Sequence, residues 1–252
     1  MSFIINGTTI NSIKFNNTDI NTLICNGEEV YSGVPAIYNT VKNASSNVTE
    51  SQWLEFIDND CIALAISRGE TADFIGKDVT LSNSVVSNYT SWKIADFGHD
   101  SSGNTVDLIQ NNTIYKTTFG YNQKYSSSTA RSWLIGNYLP GFSTDVKNKL
   151  QTMTVTTDGG NTNDKIKLLS GTEVGGTHQD MPVEGTKYPI FTSSSGTDAD
   201  SSRVRTGTNT VWWLRPRRTN YASFVWIVTA TGNLSSDSCS YSFGLVPCIR
   251  FA

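Results

Sequence analysis

The chain opens on a ten-residue repeat that leaves little freedom in local structure. Three copies run Ile5-Asn6-Gly7-Thr8-Thr9-Ile10, Phe15-Asn16-Asn17-Thr18-Asp19-Ile20 and Cys25-Asn26-Gly27-Glu28-Glu29-Val30. Each copy places two apolar residues two apart, Phe3/Ile5, Ile13/Phe15 and Leu23/Cys25, ahead of Asn-Gly or Asn-Asn. Alternation followed by two residues that tolerate positive φ is the strongest short-range signal for a hairpin. Residues 1–33 are therefore expected to form three strand-turn units in a small β-module. A segment of roughly 30 residues cannot bury a stable core alone, so the module needs a partner, a neighbouring subunit or the rest of the chain. It reads as an attachment or assembly module, the alternative being a β-meander that caps the main domain.

Gly33-Val34-Pro35 punctuates the chain, and residues 34–252 read as one larger domain. Thr49-x-x-Gln52 has the form of a capping box, and Trp53, Ile57, Cys61 and Leu64 follow at helical spacing, which predicts one amphipathic helix ending near Gly69. Strands are expected over Asp78–Leu81, Trp92–Phe97 and Val106–Ile109. Helices are expected over Ser128–Tyr138, and over Thr144–Met153 with Ser143 as cap. Ile166–Leu169 reads as strand and Thr192–Ser202 as an exposed loop, after which strands return at Val211–Leu214, Phe224–Val228 and Gly244–Phe251. Helices first and strands later make the class α+β, with no alternating βαβ sheet.

Only 16% of the residues are charged, whereas 30 Ser, 31 Thr and 23 Asn make up a third of the 252. Six Trp, eleven Phe and ten Tyr are too many for a disordered chain. A net charge of −3 offers no basic stripe for nucleic acid or an anionic membrane. No run reaches the length of a membrane span, and the start lacks the basic and apolar regions of a signal peptide. Seven Asn-x-Ser/Thr sequons are what so much Ser, Thr and Asn produces by chance.

Catalytic and metal motifs are missing from the sequence. Phosphate-loop, dinucleotide and nucleophile-elbow patterns do not occur, and four scattered cysteines with His99 and His178 give no zinc spacing. Both histidines sit in turn-like composition and read as loop residues. Asp198 and Asp200 read as a solvated loop, because the spacing of a calcium loop is lacking. Trp212-Trp213 offers a sugar platform or core packing. Since neighbouring strand residues face opposite ways, at least one must point inward. No catalytic residue, metal or cofactor is assigned.

The most informative stretch runs from Arg217 to Ser242. Its Tyr, Phe, Trp and Arg supply rigid contact area and its Ser, Thr and Asn adaptable hydrogen bonds, the composition of an antibody-like paratope. The candidate ligand-binding residues are Arg217, Arg218, Thr219, Asn220, Tyr221, Ser223, Phe224, Trp226, Ser236, Asp237, Ser238, Ser240 and Tyr241. Tyr221 and Phe224 are expected as apolar anchors, the arginine pair as partners for carboxylates or planar amides, and the Ser/Asp run as adaptable contacts.

Trp212-Trp213-Leu214-Arg215, then Gly232 and Gly244-Leu245-Val246-Pro247, resembles the C-terminal region of C-type-lectin-like proteins carried by phages and gut bacteria. Trp92-Lys93-Ile94-Ala95-Asp96, Leu108-Ile109, Arg131-Ser132-Trp133-Leu134 and Lys167-Leu168-Leu169-Ser170 resemble that family's earlier motifs in the same order, so the likeness covers Thr49 to Ala252. The decamer repeat resembles N-terminal segments of phage tail proteins. Departures are Pro216-Arg217, where the family has Ser-Pro, and Val246, where it has Arg.

Many members of that family, in its formylglycine-generating-enzyme-like subtype, are variable proteins of diversity-generating retroelements, which rewrite C-terminal codons at adenines. Arg217 to Ser242 contains no Lys, Glu, Gln or Met, residues that adenine mutation of Asn codons does not produce. The resemblance implies a C-type-lectin-like domain behind the β-module, acting without catalysis as the receptor-binding tip of a phage tail on the virion or at a bacterial cell surface. Its partners would be a host surface protein or glycan and, through residues 1–33, tail proteins or sister copies in a homo-oligomer; nucleic acid and membrane insertion are not expected. The alternative is a fixed carbohydrate-binding adhesin stacking sugar on Trp213 or Trp226. Enzymes sharing the fold use a close cysteine pair, for which Cys239 and Cys248 are wrongly spaced.

Overall fold

The structure, a computed structural model, describes residues 34–121, 124–192 and 196–252, together with six strands between Phe3 and Ser32. Those six pair as three separate antiparallel hairpins: β1 (Phe3–Ile5) with β2 (Thr8–Ile10), β3 (Ile13–Phe15) with β4 (Thr18–Ile20), and β5 (Thr22–Cys25) with β6 (Glu28–Ser32). Pairings such as Ile5 with Thr8 and Phe15 with Thr18 close around the Asn-Gly and Asn-Asn pairs of the repeat. The turn residues themselves lie outside the described residues.

Three helices follow, α1 (Ala36–Lys42), α2 (Glu50–Asp58) and α3 (Cys61–Ser67). The capping box forms as expected: Gln52 N donates to Thr49 Oγ1 at 3.3 Å, and Thr49 N donates to Gln52 Oε1 at 3.0 Å. The expected single helix is nevertheless two. Asp60 takes the left-handed conformation (φ 54°) and breaks the helix between Asp58 and Cys61. The turn lets Phe56 and Ile62 join Trp53, Ile57 and Cys61 in the core.

Later, α4 (Thr129–Trp133) runs into a π-turn over Leu134–Tyr138 and a 3-10 turn over Leu139–Gly141, and α5 (Thr144–Lys149) follows. Ser128 and Ser143 cap their helices, accepting from Arg131 N and Val146 N. α5 stops well before Met153, against expectation. Leu150 turns extended (ψ 128°) and bridges to Phe251, Gln151 N donates to Arg250 O, and Met153 enters a strand. Pairing with the C-terminal strand outcompetes the last helical turn.

The remaining strands are β7 (Asp78–Thr80), β8 (Ser91–Phe97), β9 (Val106–Gln110), β10 (Asn112–Thr113), β11 (Lys116–Thr118), β12 (Met153–Val155), β13 (Thr162–Asp164), β14 (Ile166–Leu168), β15 (Thr206–Gly207), β16 (Trp212–Arg218), β17 (Tyr221–Val228), β18 (Leu234–Ser238), β19 (Ser242–Gly244) and β20 (Pro247–Phe251). Two five-stranded sheets dominate, in the orders β14-β20-β9-β8-β7 and β11-β19-β16-β17-β18. The fold thus mixes helix with several small sheets.

Both sheets divide two cores. Ile94, Leu108, Ile249 and Trp213 belong to the larger core with the helices. Their chain neighbours Ala95, Ile109, Cys248 and Trp212 belong to a smaller one with Leu169, Val174, Tyr188 and Phe191. Alternation along a strand delivers successive side chains to opposite faces. Among the described residues, no helix is long and apolar enough to cross a membrane.

Candidate recognition surface

The candidate residues are built on β16, β17 and β18, whose bases are fixed before their tips are exposed. Trp212, Trp213, Leu214, Val225 and Val228 are fully buried. Trp213 Nε1 donates to Thr117 O at 2.9 Å and Trp212 Nε1 to Arg203 O at 3.2 Å. The expectation that one of the pair faces inward is exceeded, since each fills a different core. Trp213 is therefore no platform for sugar. Trp226, 3% exposed, is framework as well: its Nε1 donates to Asp180 O, and its ring floors a cavity of ≈190 Å³ beside His178, Arg218 and Ser236. That volume is below the range of ordinary ligand pockets.

Beyond this base the strands run out to solvent. Thr219 and Asn220 make the β16–β17 turn, with Asn220 left-handed at φ 67°, a conformation Asn tolerates and branched residues do not. Tyr221, Phe224 and Tyr241 are 52%, 37% and 56% exposed, and Thr219, Asn220 and Ser240 are exposed beside them. Ser223, Ser236, Asp237 and Ser238 are half-buried. Phe224 pairs with Ser238 across β17–β18. Cys239 N donates to Ser223 O, drawing the turn that carries Ser240 and Tyr241 against β17. Gly120 N donates to Cys239 O, which brings Tyr121, 77% exposed, to the same edge. Tyr121 is not among the expected residues, because long-range contacts place it there: Phe119 N also donates to Cys239 O, and Thr118 pairs with Ser242.

The arginines hold the hairpin in place. Arg217 Nε donates to Asp158 Oδ2 at 2.5 Å, and Arg218 donates through Nε and Nη2 to Asp180 Oδ2 at 3.1 and 2.7 Å. Thr219 N donates to Asp180 O, so one loop residue carries three contacts to the hairpin region. The Arg218 guanidinium lies 4.7 Å from the Tyr221 ring, which meets Phe224 edge-on at 6.3 Å. The carboxylates these arginines were expected to seek in a ligand are already supplied by the protein.

Beneath the hairpin lies a buried ionic cluster. Arg215, 1% exposed, donates to Glu173 Oε2 at 2.6 Å and Glu184 Oε2 at 2.9 Å, and Lys167 donates to Glu173 Oε1 at 2.8 Å. Burial alone would raise Glu173, but Arg215 and Lys167 outweigh it and hold its carboxyl at about 2. Burial, with Glu173 and Asp158 nearby, overcomes Arg215 at Glu184 and pushes its carboxyl up to about 7. Among the described residues, Glu184 Oε1 and Asp158 Oδ1 have no hydrogen-bond partner.

Between about pH 4.5 and 7 the folded chain thus holds a proton on Glu184 that the unfolded chain releases. Stability from this group is complete below 4.5 and is lost as pH rises to 7, by about 3 kcal/mol. Glu173 acts oppositely, its contribution present above 4.5 and lost as pH falls toward 2. Denaturation series on the native chain and Glu184→Gln should differ in slope between pH 5 and 7, with the variant flatter. Parallel curves would contradict the assignment.

His99 is in a turn, as expected, but it is 3% exposed. Its Nδ1 lies 2.8 Å from Asp96 Oδ2, and its ring stacks on Tyr188 at 3.7 Å. His178 is exposed and accepts from Asp180 N. Asp200 corrects the solvated-loop expectation: it is 5% exposed and accepts from Thr192 Oγ1 and Ser202 N, while Asp198 is exposed. His99, Asp100 and Glu173 bring ligand atoms within 4.8 Å of one another, but Glu173 already accepts from Lys167, Arg215 and Ser170 N. A cation there would have to displace the lysine. Burial pushes the Cys248 thiol up to about 12, so it stays protonated at neutral pH and is a poor nucleophile.

Residues 103–251, more than half of the chain, match the family described as Domain of unknown function (DUF6273). The chain belongs to the DUF6273 family. No curated protein and no solved structure matches it. The DUF6273 region contains every candidate recognition residue and the Arg215 cluster, while α1 to α3, His99 and the three hairpins precede it.

Proposed function

We propose that this DUF6273 protein is a non-enzymatic recognition protein with a C-type-lectin-like fold, serving as the host-attachment tip of a phage tail. Its ligand is a host surface protein or glycan, and the hairpins of residues 1–33 join it to the tail or to sister copies. The observation that carries this reading is the contrast along β16 to β18: exposed Tyr221, Phe224 and Tyr241 stand on strands whose bases are buried in two cores. Rigid aromatic anchors on a fixed scaffold lose little entropy on binding.

The surface also limits where diversification can act. Asn220 is held by its backbone, Trp226 by burial, and Arg217 and Arg218 by Asp158 and Asp180. Thr219, Tyr221, Ser223, Phe224, Ser240 and Tyr241 are the positions free to change. A near-copy of the codons for Arg217 to Ser242, differing at adenines and lying beside a reverse transcriptase gene, would support that history.

Combining Arg218→Ala, Tyr221→Ala and Phe224→Ala should weaken attachment to host cells about thirtyfold or more, the effect of removing a central anchor. Attachment at the native level by the folded triple variant would refute the site.

A further inference from the structure

We propose that a second site, on the groove between residues 82–90 and residues 133–143, binds a neutral oligosaccharide. Two clefts of ≈440 and ≈540 Å³ adjoin there and share Ser87 in their walls. Each is within the range of small-molecule sites, and together they fit several linked rings.

The groove presents a prebuilt aromatic face. Tyr115, 40% exposed, lies parallel to Trp133 at 4.1 Å with an interplanar angle of 1°. Trp133 stacks on Tyr138 at 5.9 Å and Tyr138 on the fully buried Trp92 at 6.5 Å, so a ladder of rings runs from the core to the surface. A sugar ring offers an apolar C–H face to such a platform and hydroxyls at its edge.

The rim supplies the matching polar groups. The side chains of Ser87, Asn88 and Asn137 line the groove, are exposed, and have no hydrogen-bond partner among the described residues. A carboxamide carries a donor and an acceptor side by side, which suits neighbouring hydroxyls. Neither cleft is lined by Asp, Glu, Lys or Arg. Phosphorylated, nucleotide or acidic ligands would enter without a counter-charge, whereas an uncharged polyol needs none.

The rim is also rigid. Asn83, 3% exposed, donates to Tyr138 O at 2.9 Å and accepts at Oδ1 from Val85 N and Val86 N. Ser84 N donates to Gly141 O, and Gln110 Nε2 to Tyr89 O, both at 2.9 Å. A Cβ at Gly141 would collide with the Asn83 side chain, so the glycine lets the two walls approach. Preorganised contacts of this kind spare a ligand the cost of ordering its site.

The test titrates the full chain with maltotetraose, cellotetraose and tetra-N-acetylchitotetraose, following tryptophan fluorescence and heat, with trigalacturonate as the charged comparator. At least one neutral tetramer should bind and trigalacturonate should not. Tyr115→Ala should weaken binding about tenfold, near the upper end for one aromatic contact. Asn137→Asp, which keeps shape but adds charge, should weaken it as well. Tyr221→Ala and Tyr241→Ala should leave it unchanged, which separates this site from the hairpin tip. The proposal is overturned if no neutral tetramer binds the folded chain, if both groove variants bind normally, or if the tip variants abolish binding.

Discussion

Replacing Arg215 by methionine should destabilise the fold by about 3–5 kcal/mol, the range for a buried ion pair broken from one side. Methionine keeps much of the length and apolar volume, so the loss isolates the guanidinium. Arg215 donates to Glu173 and Glu184 and also to the carbonyls of Leu168, Thr156 and Glu184. Without it Glu173 keeps Lys167, but Glu184 loses its counter-ion. Domains have only about 5–15 kcal/mol in total, so the midpoint of thermal unfolding should fall by about 10 °C or more. Adding Glu184→Gln should recover part of the loss, because the folded chain no longer has to keep a buried carboxyl protonated that the unfolded chain ionises. A loss below about 1 kcal/mol in urea titrations would mean that the cluster is already neutral or hydrated.

Trp213→Ala should produce a loss of similar size, about 3–5 kcal/mol, by opening a cavity in the larger core. The indole is fully buried, packs against Phe119 at 5.6 Å and Phe243 at 4.8 Å, and donates to Thr117 O. Tyr221→Ala, eight residues further along the same hairpin, should change stability by no more than about 0.5 kcal/mol, because its ring is largely in solvent. Equal destabilisation by the two substitutions would make the tip part of the core, and the reading of Tyr221 as a ligand anchor would fall with it.

Signals confined to one turn of chain were legible in the sequence. The Thr49-Gln52 box and the cap Ser143 act on backbone within three residues, and each forms. The decamer repeat carries its pairing in its own alternation, and the hairpins follow it. What was missed depends on partners far along the chain. His99 is buried by Tyr188, Asp180 is chosen by Arg218 and Trp226, and α5 yields to pairing with the C-terminal strand. Asp60 is different: Asn59-Asp60 are residue types that tolerate a left-handed turn, but the helical spacing from Trp53 to Leu64 runs straight across them, and the helical stretch still ends near Gly69 as expected. Aromatic and polar composition marked the tip of the recognition hairpin. It could not separate contact residues from framework, because composition counts Trp226 and Tyr221 alike as aromatic although one is buried and the other exposed.

The division of each sheet between two cores sets a rule for how the chain can change over time. Successive residues of β16 and β17 belong to different interiors, so exchanging a tip side chain leaves the alternation intact. Inserting or deleting one residue in β16 beside Trp212-Trp213, or in β17 beside Val225-Trp226, would send the members of that pair to the wrong sides. Variation is therefore open to substitution at the tip and closed to changes of length beside these buried pairs, while the pairing shifts register between Trp213 and Arg218 on the way to the tip.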